Sequence, residues 1–324
     1  MAKEGEVISV NISKEKGTVK HTVAEIVIDE NGIVDDAHAG LHHRQVSLLS
    51  QEDVGKFIER TGMKVSSGQF AENILFCGID LKTAHILDRI IINEAELELT
   101  QIGKKCHGDN CAVYQAVGQC TMPKDGIFCR VIKGGKVKAG DSISHVSRKL
   151  KILLITLSDR VALGKSNDLS GPRAKELCEE FLVKRKWDFA IDAVVLSDEK
   201  EQLIDELSQA VKTYDVIFTI GSTGVGVRDI APNVIEQICD KVIPGIMENI
   251  RGKFGDKNPL ALLSRSVAGI VEQTQIYTLP GSVKATEEYL PEIFKTLEHI
   301  IFMMKGLDVH GGALKCVIKK RQSK

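Results

Sequence analysis

The chain has 324 residues, 43% of them hydrophobic and 27% charged, with 43 basic against 44 acidic side chains for a net charge of -1. At roughly 150 residues per domain this is material for about two cores, which excludes wholesale disorder. Neither half carries a basic excess, which argues against a nucleic-acid-binding domain, and no apolar run reaches the roughly 18 residues that cross a bilayer.

Met1 to Val10 alternates charges with Val and Ile and lacks the basic-then-apolar order of a signal peptide. The expectation is a soluble cytoplasmic protein whose eight cysteines stay reduced.

The first half reads as strands with irregular connections. His21 to Ile28 is apolar and β-branched and is followed by the turn signal Asn31-Gly32. Ser50 is a helix N-cap with Asp53 as the capping-box acid. Ala95 to Thr100 alternates as a half-buried strand. Gly126 to Lys133 is a further strand, and Gly134-Gly135 predicts a hairpin return before Gly140-Asp141. The sum is a compact β-barrel-like domain.

The second half alternates strand and helix. Ile152 to Leu157 is a continuous apolar strand, and Pro172 opens a helix running to about Lys186. Phe189 to Leu196 is a strand, Glu199 to Lys212 a helix, and Asp215 to Ile220 a strand running into Gly221. Gln275 to Leu279 and the helix Glu287 to Lys305 follow. Buried strands separated by helices predict a mostly parallel sheet covered by helices on both faces. The boundary falls near Ser147-Arg148-Lys149, giving a β domain over 1–148 and an α/β domain over 149–324 with a short basic tail.

In a parallel sheet, ligands collect beyond the carboxyl ends of the strands. Ser158-Asp159, Ser197-Asp198, the loop Gly221-Ser222-Thr223-Gly224-Val225-Gly226 and Pro280-Gly281-Ser282 all fall at such ends. The loop suits a phosphate, or is a tight turn. It is neither a Walker A loop nor a dinucleotide fingerprint. Asp198 and Asp229 beside a phosphate point to Mg²⁺, or each is an Asx turn or N-cap. Ser264-Arg265 is an anion clamp or an ordinary surface pair. Lys284 neutralises phosphate or sits on a solvated helix start.

Gly221-Ser222-Thr223-Gly224 followed by Arg228-Asp229-Ile230-Ala231-Pro232 resembles the signature of the molybdopterin-binding domain family, which includes MogA-like and MoaB-like proteins and the matching domain of gephyrin. Leu157-Ser158-Asp159, Asp168-Leu169-Ser170-Gly171, Ser197-Asp198-Glu199, Pro244-Gly245, Leu263-Ser264-Arg265 and Leu279-Pro280-Gly281-Ser282 follow the family's order. The resemblance spans about residues 150 to 306. It implies adenylylation of molybdopterin by Mg-ATP with release of pyrophosphate. Asp198 and Asp229 would be catalytic and handle Mg²⁺. Gly221, Ser222, Thr223, Gly224, Asp168, Ser264, Arg265, Pro280, Gly281, Ser282 and Lys284 would bind substrate. The family has Gly at the position of Ser222 and Thr at that of Ala231, so the loop's geometry departs there.

In the first half Cys106, Cys111, Cys120 and Cys129 lie close together in sequence, with no Cys-x-x-Cys knuckle for zinc. Lys104, Lys105 and His107 flank Cys106 and favour a thiolate, against simple burial, which fits Cys129 best. His38, His42 and His43 bind an anion or metal or, given their loose spacing, are ordinary loop histidines. Glu98-Leu99-Thr100-Gln101-Ile102-Gly103-Lys104-Lys105-Cys106, Gly126-Ile127-Phe128-Cys129-Arg130-Val131, Gly140-Asp141 and Asp36-Ala37-His38-Ala39-Gly40 resemble the MOSC domain over about residues 5 to 147. That resemblance implies a β-barrel that handles molybdenum cofactor or carries sulfur on a cysteine, here Cys106, with Cys111 and Cys120 as helpers.

Together the resemblances imply a bifunctional molybdenum cofactor biosynthesis protein, homo-oligomeric and trimeric. Its partners would be molybdopterin, ATP, and proteins that insert molybdenum or use the finished cofactor, with neither nucleic acid nor membrane. The rivals are a non-catalytic molybdopterin carrier, and a sulfur carrier whose second half only oligomerises.

Overall fold

The computed structural model describes residues 3–104, 114, 120–308 and 315–316. The chain divides into two compact units, Met1–Arg148 with Lys305–Lys324, and Lys149–Met304. The described part of the segment after Met304 thus groups with the first unit, where the sequence reading placed it in the second.

The first unit is a closed barrel. Seven strands, β1 (Lys3–Ile12), β5 (Val46–Ser50), β6 (Ile74–Cys77), β7 (Arg89–Ile92), β8 (Ala95–Ile102), β9 (Ile127–Lys133) and β11 (Ser142–Val146), run in the order β11-β7-β8-β9-β5-β6-β1, and β1 pairs back onto β11. The edge problem of an open sheet is thereby removed. β2 (His21–Val23) extends from β1, while β3 (Glu25–Asp29), β4 (Gly32–Ile33) and β10 (Gly135–Lys138) form a separate small sheet. One run read as a single strand, His21 to Ile28, is therefore two strands in two sheets.

Period-2 alternation fills the barrel with Val7, Val10, Leu48, Ile74, Phe76, Ile90, Leu97, Leu99, Ile127, Cys129 and Ile143. β5 and β6 are parallel, so the chain needs a crossover between them. The helix α1 (Gln51–Thr61) supplies it, capped by Ser50 Oγ, which accepts from Asp53 N. Its Val54 and Phe57 bury Leu49, Leu75 and Phe128 on the outward face, and Phe57 meets Phe70 edge-on at 4.9 Å.

The expected hairpin at Gly134-Gly135 is not formed. β9 pairs with β5 and β8, whereas β10 pairs with β3. A Cβ on Gly134 would stand 2.4 Å from Ile28 O, and one on Gly135 2.7 Å from Ala95 N. The two glycines let the chain pass from the barrel to the small sheet at close backbone range.

The second unit is an α/β fold on a six-stranded mixed sheet. The strands β12 (Lys149–Leu157), β13 (Asp188–Leu196), β14 (Val216–Ile220), β15 (Lys241–Val242), β16 (Ala268–Val271) and β17 (Thr274–Leu279) stand in the order β13-β12-β14-β17-β16-β15. The first four are parallel, and β16 and β15 join antiparallel. Leu153, Ile155 and Leu157 of β12, Ile217 and Ile276 pack with Leu203 and Leu207 of a helix over Lys200–Ala210 and with Val234 and Ile235 of a helix over Ala231–Ile238. Two more helices, Ser170–Lys184 and Val283–Met304, contact each other, and their Ala174, Cys178, Leu182, Tyr289, Ile293 and Leu297 are buried. No helix among the described residues is long and apolar enough to cross a membrane.

Candidate active site

The chain leaves β12 to one side to form β13, then crosses back to form β14 on the other. Adjacent parallel strands whose connections diverge leave a crevice beyond their carboxyl ends. A cleft of about 690 Å³ lies there, between the ends of β12 and β14.

The backbone at its floor is packed too tightly for side chains. Gly221 has φ 109°, and a Cβ on it would fall 2.3 Å from Leu157 O. A Cβ on Gly281 would meet Gly221 Cα at 3.2 Å. Gly221 N donates to Leu279 O at 2.8 Å, and Ser170 Oγ to Gly281 O at 2.7 Å, so the ends of β12, β14 and β17 converge.

Gly221, Ser222, Thr223, Gly224, Asp168, Asp198, Asp229, Gly281 and Ser282 all line this cleft. Pro280 directly precedes Gly281. Ser264 lies outside, its hydroxyl 2.8 Å from Ser266 Oγ. Lys284 is 77% exposed and faces Glu288 at 3.9 Å.

Arg265 lines an adjoining cavity of about 540 Å³ that shares Asp229. Its guanidinium donates to Gly224 O, Asn233 Oδ1 and Asp229 O, each at 2.6 Å. These bonds make it a brace on the outside of the glycine loop.

Ser222 adopts φ 56°, the left-handed region that favours glycine. Its hydroxyl donates to Arg228 O and accepts from Ile230 N, both at 2.8 Å, closing the loop on itself.

The carboxylates divide by partner. Asp168 is bonded at both oxygens: Thr156 Oγ1 donates to one at 2.7 Å, and Ser170 N and Gly171 N donate to the other at 3.0 and 2.9 Å. It caps the helix Ser170–Lys184. Ser282 Oγ similarly accepts from Ala285 N at the start of Val283–Met304. Asp229 Oδ2 accepts from Gly226 N at 2.7 Å.

Asp198 and Asp159 brace one another. Asp159 N donates to Asp198 Oδ2 at 3.1 Å, and Asp198 N to Asp159 Oδ1 at 3.0 Å. Asp198 Oδ1 is buried without a hydrogen-bond partner.

Two residues outside the expected site complete the rim. Arg228 donates to both Asp159 oxygens at 2.7 Å through Nη2, and to Glu199 Oε1 at 2.8 Å through Nη1. Glu199 and Asp159 hold the guanidinium above its ordinary range, and Arg228 holds the Asp159 carboxyl below its own. The signal for both was their place in strand-end motifs, Arg228 beside Asp229 and Asp159 after Leu157.

The lining residues include four aspartates, 159, 168, 198 and 229, against Arg160 and Arg228. Among the described residues no three His, Cys, Asp or Glu side chains form a complete ion cage. A site with free carboxylate oxygens but no cage suits a hard cation that arrives with phosphate ligands of its own.

In the first unit, Cys106, Cys111 and His107 lie outside the described residues. Cys120 is half-buried beside a cavity of about 300 Å³ with Lys56, Arg60, Lys82 and Lys124. Cys129 is fully buried, and burial pushes its thiol far up.

The Asp36-Ala37-His38 motif is structural. Asp36 accepts from Lys20 Nζ at 2.5 Å, Asn73 Nδ2 and Ser13 N at 3.1 Å, and His38 N at 2.9 Å. Burial alone would raise its carboxyl, but the bonds from His38 and Lys20 outweigh that and hold it well below the usual range. Nearby, burial pushes the Glu72 carboxyl up to about 7.

A family model described as a probable molybdopterin binding domain matches residues 153–299, and a MOSC domain model matches residues 35–144. The chain is 31% identical over 159 residues to a molybdopterin adenylyltransferase of Helicobacter pylori, covering 48% of this chain and 89% of that protein. It is 33% identical over 144 residues to the Haemophilus influenzae protein of the same name, covering 44% and 71%. A molybdenum cofactor biosynthesis bifunctional protein of Synechococcus elongatus is 31% identical over 159 residues, covering 49% of this chain and 48% of that one.

Proposed function

The chain belongs to the molybdopterin-binding domain family, with a MOSC domain ahead of it, and from that premise we propose that its second unit is a molybdopterin adenylyltransferase. The observation that carries this is the cleft at the β12/β14 crossing, where the glycine loop, Asp198 and Asp229 line one space.

In the reaction, a terminal phosphate oxygen of molybdopterin attacks the α-phosphorus of ATP. The bond to the β-phosphate oxygen breaks, and pyrophosphate leaves. Such a transfer is promoted mainly by positioning and charge neutralisation. Gly221 to Gly224 and Ser282 would hold phosphate, and Pro280 and Lys284 would form the rim. Asp198 and Asp229 would hold Mg²⁺, which when bound offsets charge on the triphosphate. Asp168 sets the helix Ser170–Lys184, while Arg265 braces the loop from outside.

The first unit would bind the cofactor or carry sulfur on Cys106. Five free cysteines among the described residues support a reducing, cytoplasmic setting. Exposed Leu260, Leu262 and Leu263 support self-association, as a homo-oligomer.

The test incubates the protein with molybdopterin and Mg-ATP and follows adenylylated molybdopterin by mass. Product is expected, with Asp229→Ala slower by at least about 100-fold. Molybdopterin binding without product would overturn the enzymatic reading in favour of a carrier.

A further inference from the structure

We propose that Arg228 is a phosphate-binding residue held in reserve: in the ligand-free protein its guanidinium is docked on Asp159 and Glu199, and an arriving nucleoside triphosphate takes it over. The exchange releases the Asp159 carboxylate to the accompanying divalent cation. This rests on the reading of the cleft as a nucleotide site.

The two arginines around the loop have opposite commitments. Arg265 donates to two backbone carbonyls and Asn233, and cannot leave without undoing the loop. Arg228 donates only to carboxylates, with its side chain 53% exposed. The pairing with Asp159 is bidentate, but all three side chains are solvent-exposed, so water and salt screen it and it holds Arg228 less firmly than a buried pair would. A triphosphate carries several negative charges and presents the same paired oxygens to a planar guanidinium, so it outcompetes a carboxylate for Arg228.

The backbone of Arg228 stays in place during such an exchange. Its carbonyl accepts from Ser222 Oγ, and the next residue's carbonyl accepts from Arg265. Only the side chain has to swing.

What it leaves behind is equally specific. Asp159 lines the cleft and is fixed beside Asp198 by their reciprocal backbone bonds. Asp198 Oδ1 is already without a partner. Freed of Arg228, Asp159 adds a second carboxylate next to that oxygen, in a cleft whose lining aspartates outnumber its arginines. Two adjacent carboxylates and a triphosphate make the ligand set that a hard divalent cation takes. Glu199 is not among the lining residues, and its part is to compete for Arg228.

The experiment titrates the full-length protein calorimetrically with the non-hydrolysable analogue AMP-PNP, with and without Mg²⁺. Arg228→Ala is expected to weaken binding at least about tenfold. Glu199→Gln removes a competitor and is expected to tighten it severalfold. Asp159→Asn is expected to raise severalfold the Mg²⁺ concentration at half-saturation. A strut that merely holds the loop would be loosened by Glu199→Gln, so unchanged or weaker binding in that variant overturns the exchange. Unchanged affinity in Arg228→Ala does the same. Nucleotide binding with these responses but no adenylylated pterin would defeat the enzymatic reading and leave the exchange standing. No nucleotide binding by the wild type would overturn both.

Discussion

Ser222 is where one residue carries both a cost and its offset. A side chain in the left-handed region costs about 1–2 kcal/mol. The two hydrogen bonds of its hydroxyl, to Arg228 O and from Ile230 N, each contribute about 0.5–1.5 kcal/mol. Ser222→Ala keeps the strain and loses both bonds, so it should destabilise the second unit by about 1–3 kcal/mol. Ser222→Gly loses the bonds but relieves the strain, and should fall within about 1 kcal/mol of the wild type. Thermal unfolding followed by fluorescence of Trp187, the single tryptophan, separates the two. The glycine-rich signature located this loop in the sequence but did not show that a hydroxyl closes it. Arg265 was singled out in the sequence, but its partners were illegible for a related reason, since they lie 32 to 41 positions away.

Among the elements, the helix Ser170–Lys184 depends on a cap just before its first turn. Asp168 takes up two of its backbone N–H groups and the Thr156 hydroxyl. Asp168→Ala should cost about 1–2 kcal/mol. It should also raise KM in the adenylylation assay, because Ser170 on that turn is bonded to Gly281 O in the cleft. Circular dichroism melts read the first effect and initial rates the second. The four parallel strands of this unit were legible to within a few residues, most clearly where the run is unbroken and apolar, as in Ile152 to Leu157, whereas the short antiparallel β15 and β16 were not read. Those of the barrel were less so. A Gly-Gly pair ordinarily signals a turn, and nothing local reveals that Gly134 and Gly135 are needed to pass Ile28 and Ala95.

At the scale of the whole molecule, the barrel gives stability a pH profile of its own. Glu72 titrates near 7 in the folded chain and near 4.5 when unfolded, so the native state keeps a proton that the unfolded chain has lost. Stability from this group is complete below about 4.5 and declines as pH rises to about 7, by about 3 kcal/mol. Asp36 acts in the opposite sense: its folded carboxyl is depressed, so its contribution is lost as pH falls below the ordinary carboxylate range. Hydrogen exchange of barrel amides should show a fall between pH 4.5 and 7 that Glu72→Gln flattens. None of this pH behaviour was legible in sequence: Asp36 stood in a family motif, but neither its pairing with Lys20 nor the burial of Glu72 could be read from residues so far apart.

Barrel closure sets an order of events during synthesis. Lys3 pairs with His145, 142 positions later, so the first strand has no partner on that side until almost the whole unit has been made. Contacts at such separation form slowly. The amino-terminal unit therefore leaves the ribosome with an open seam. The Lys149–Met304 unit, whose parallel pairs are of shorter range, begins to emerge only as that seam becomes able to shut.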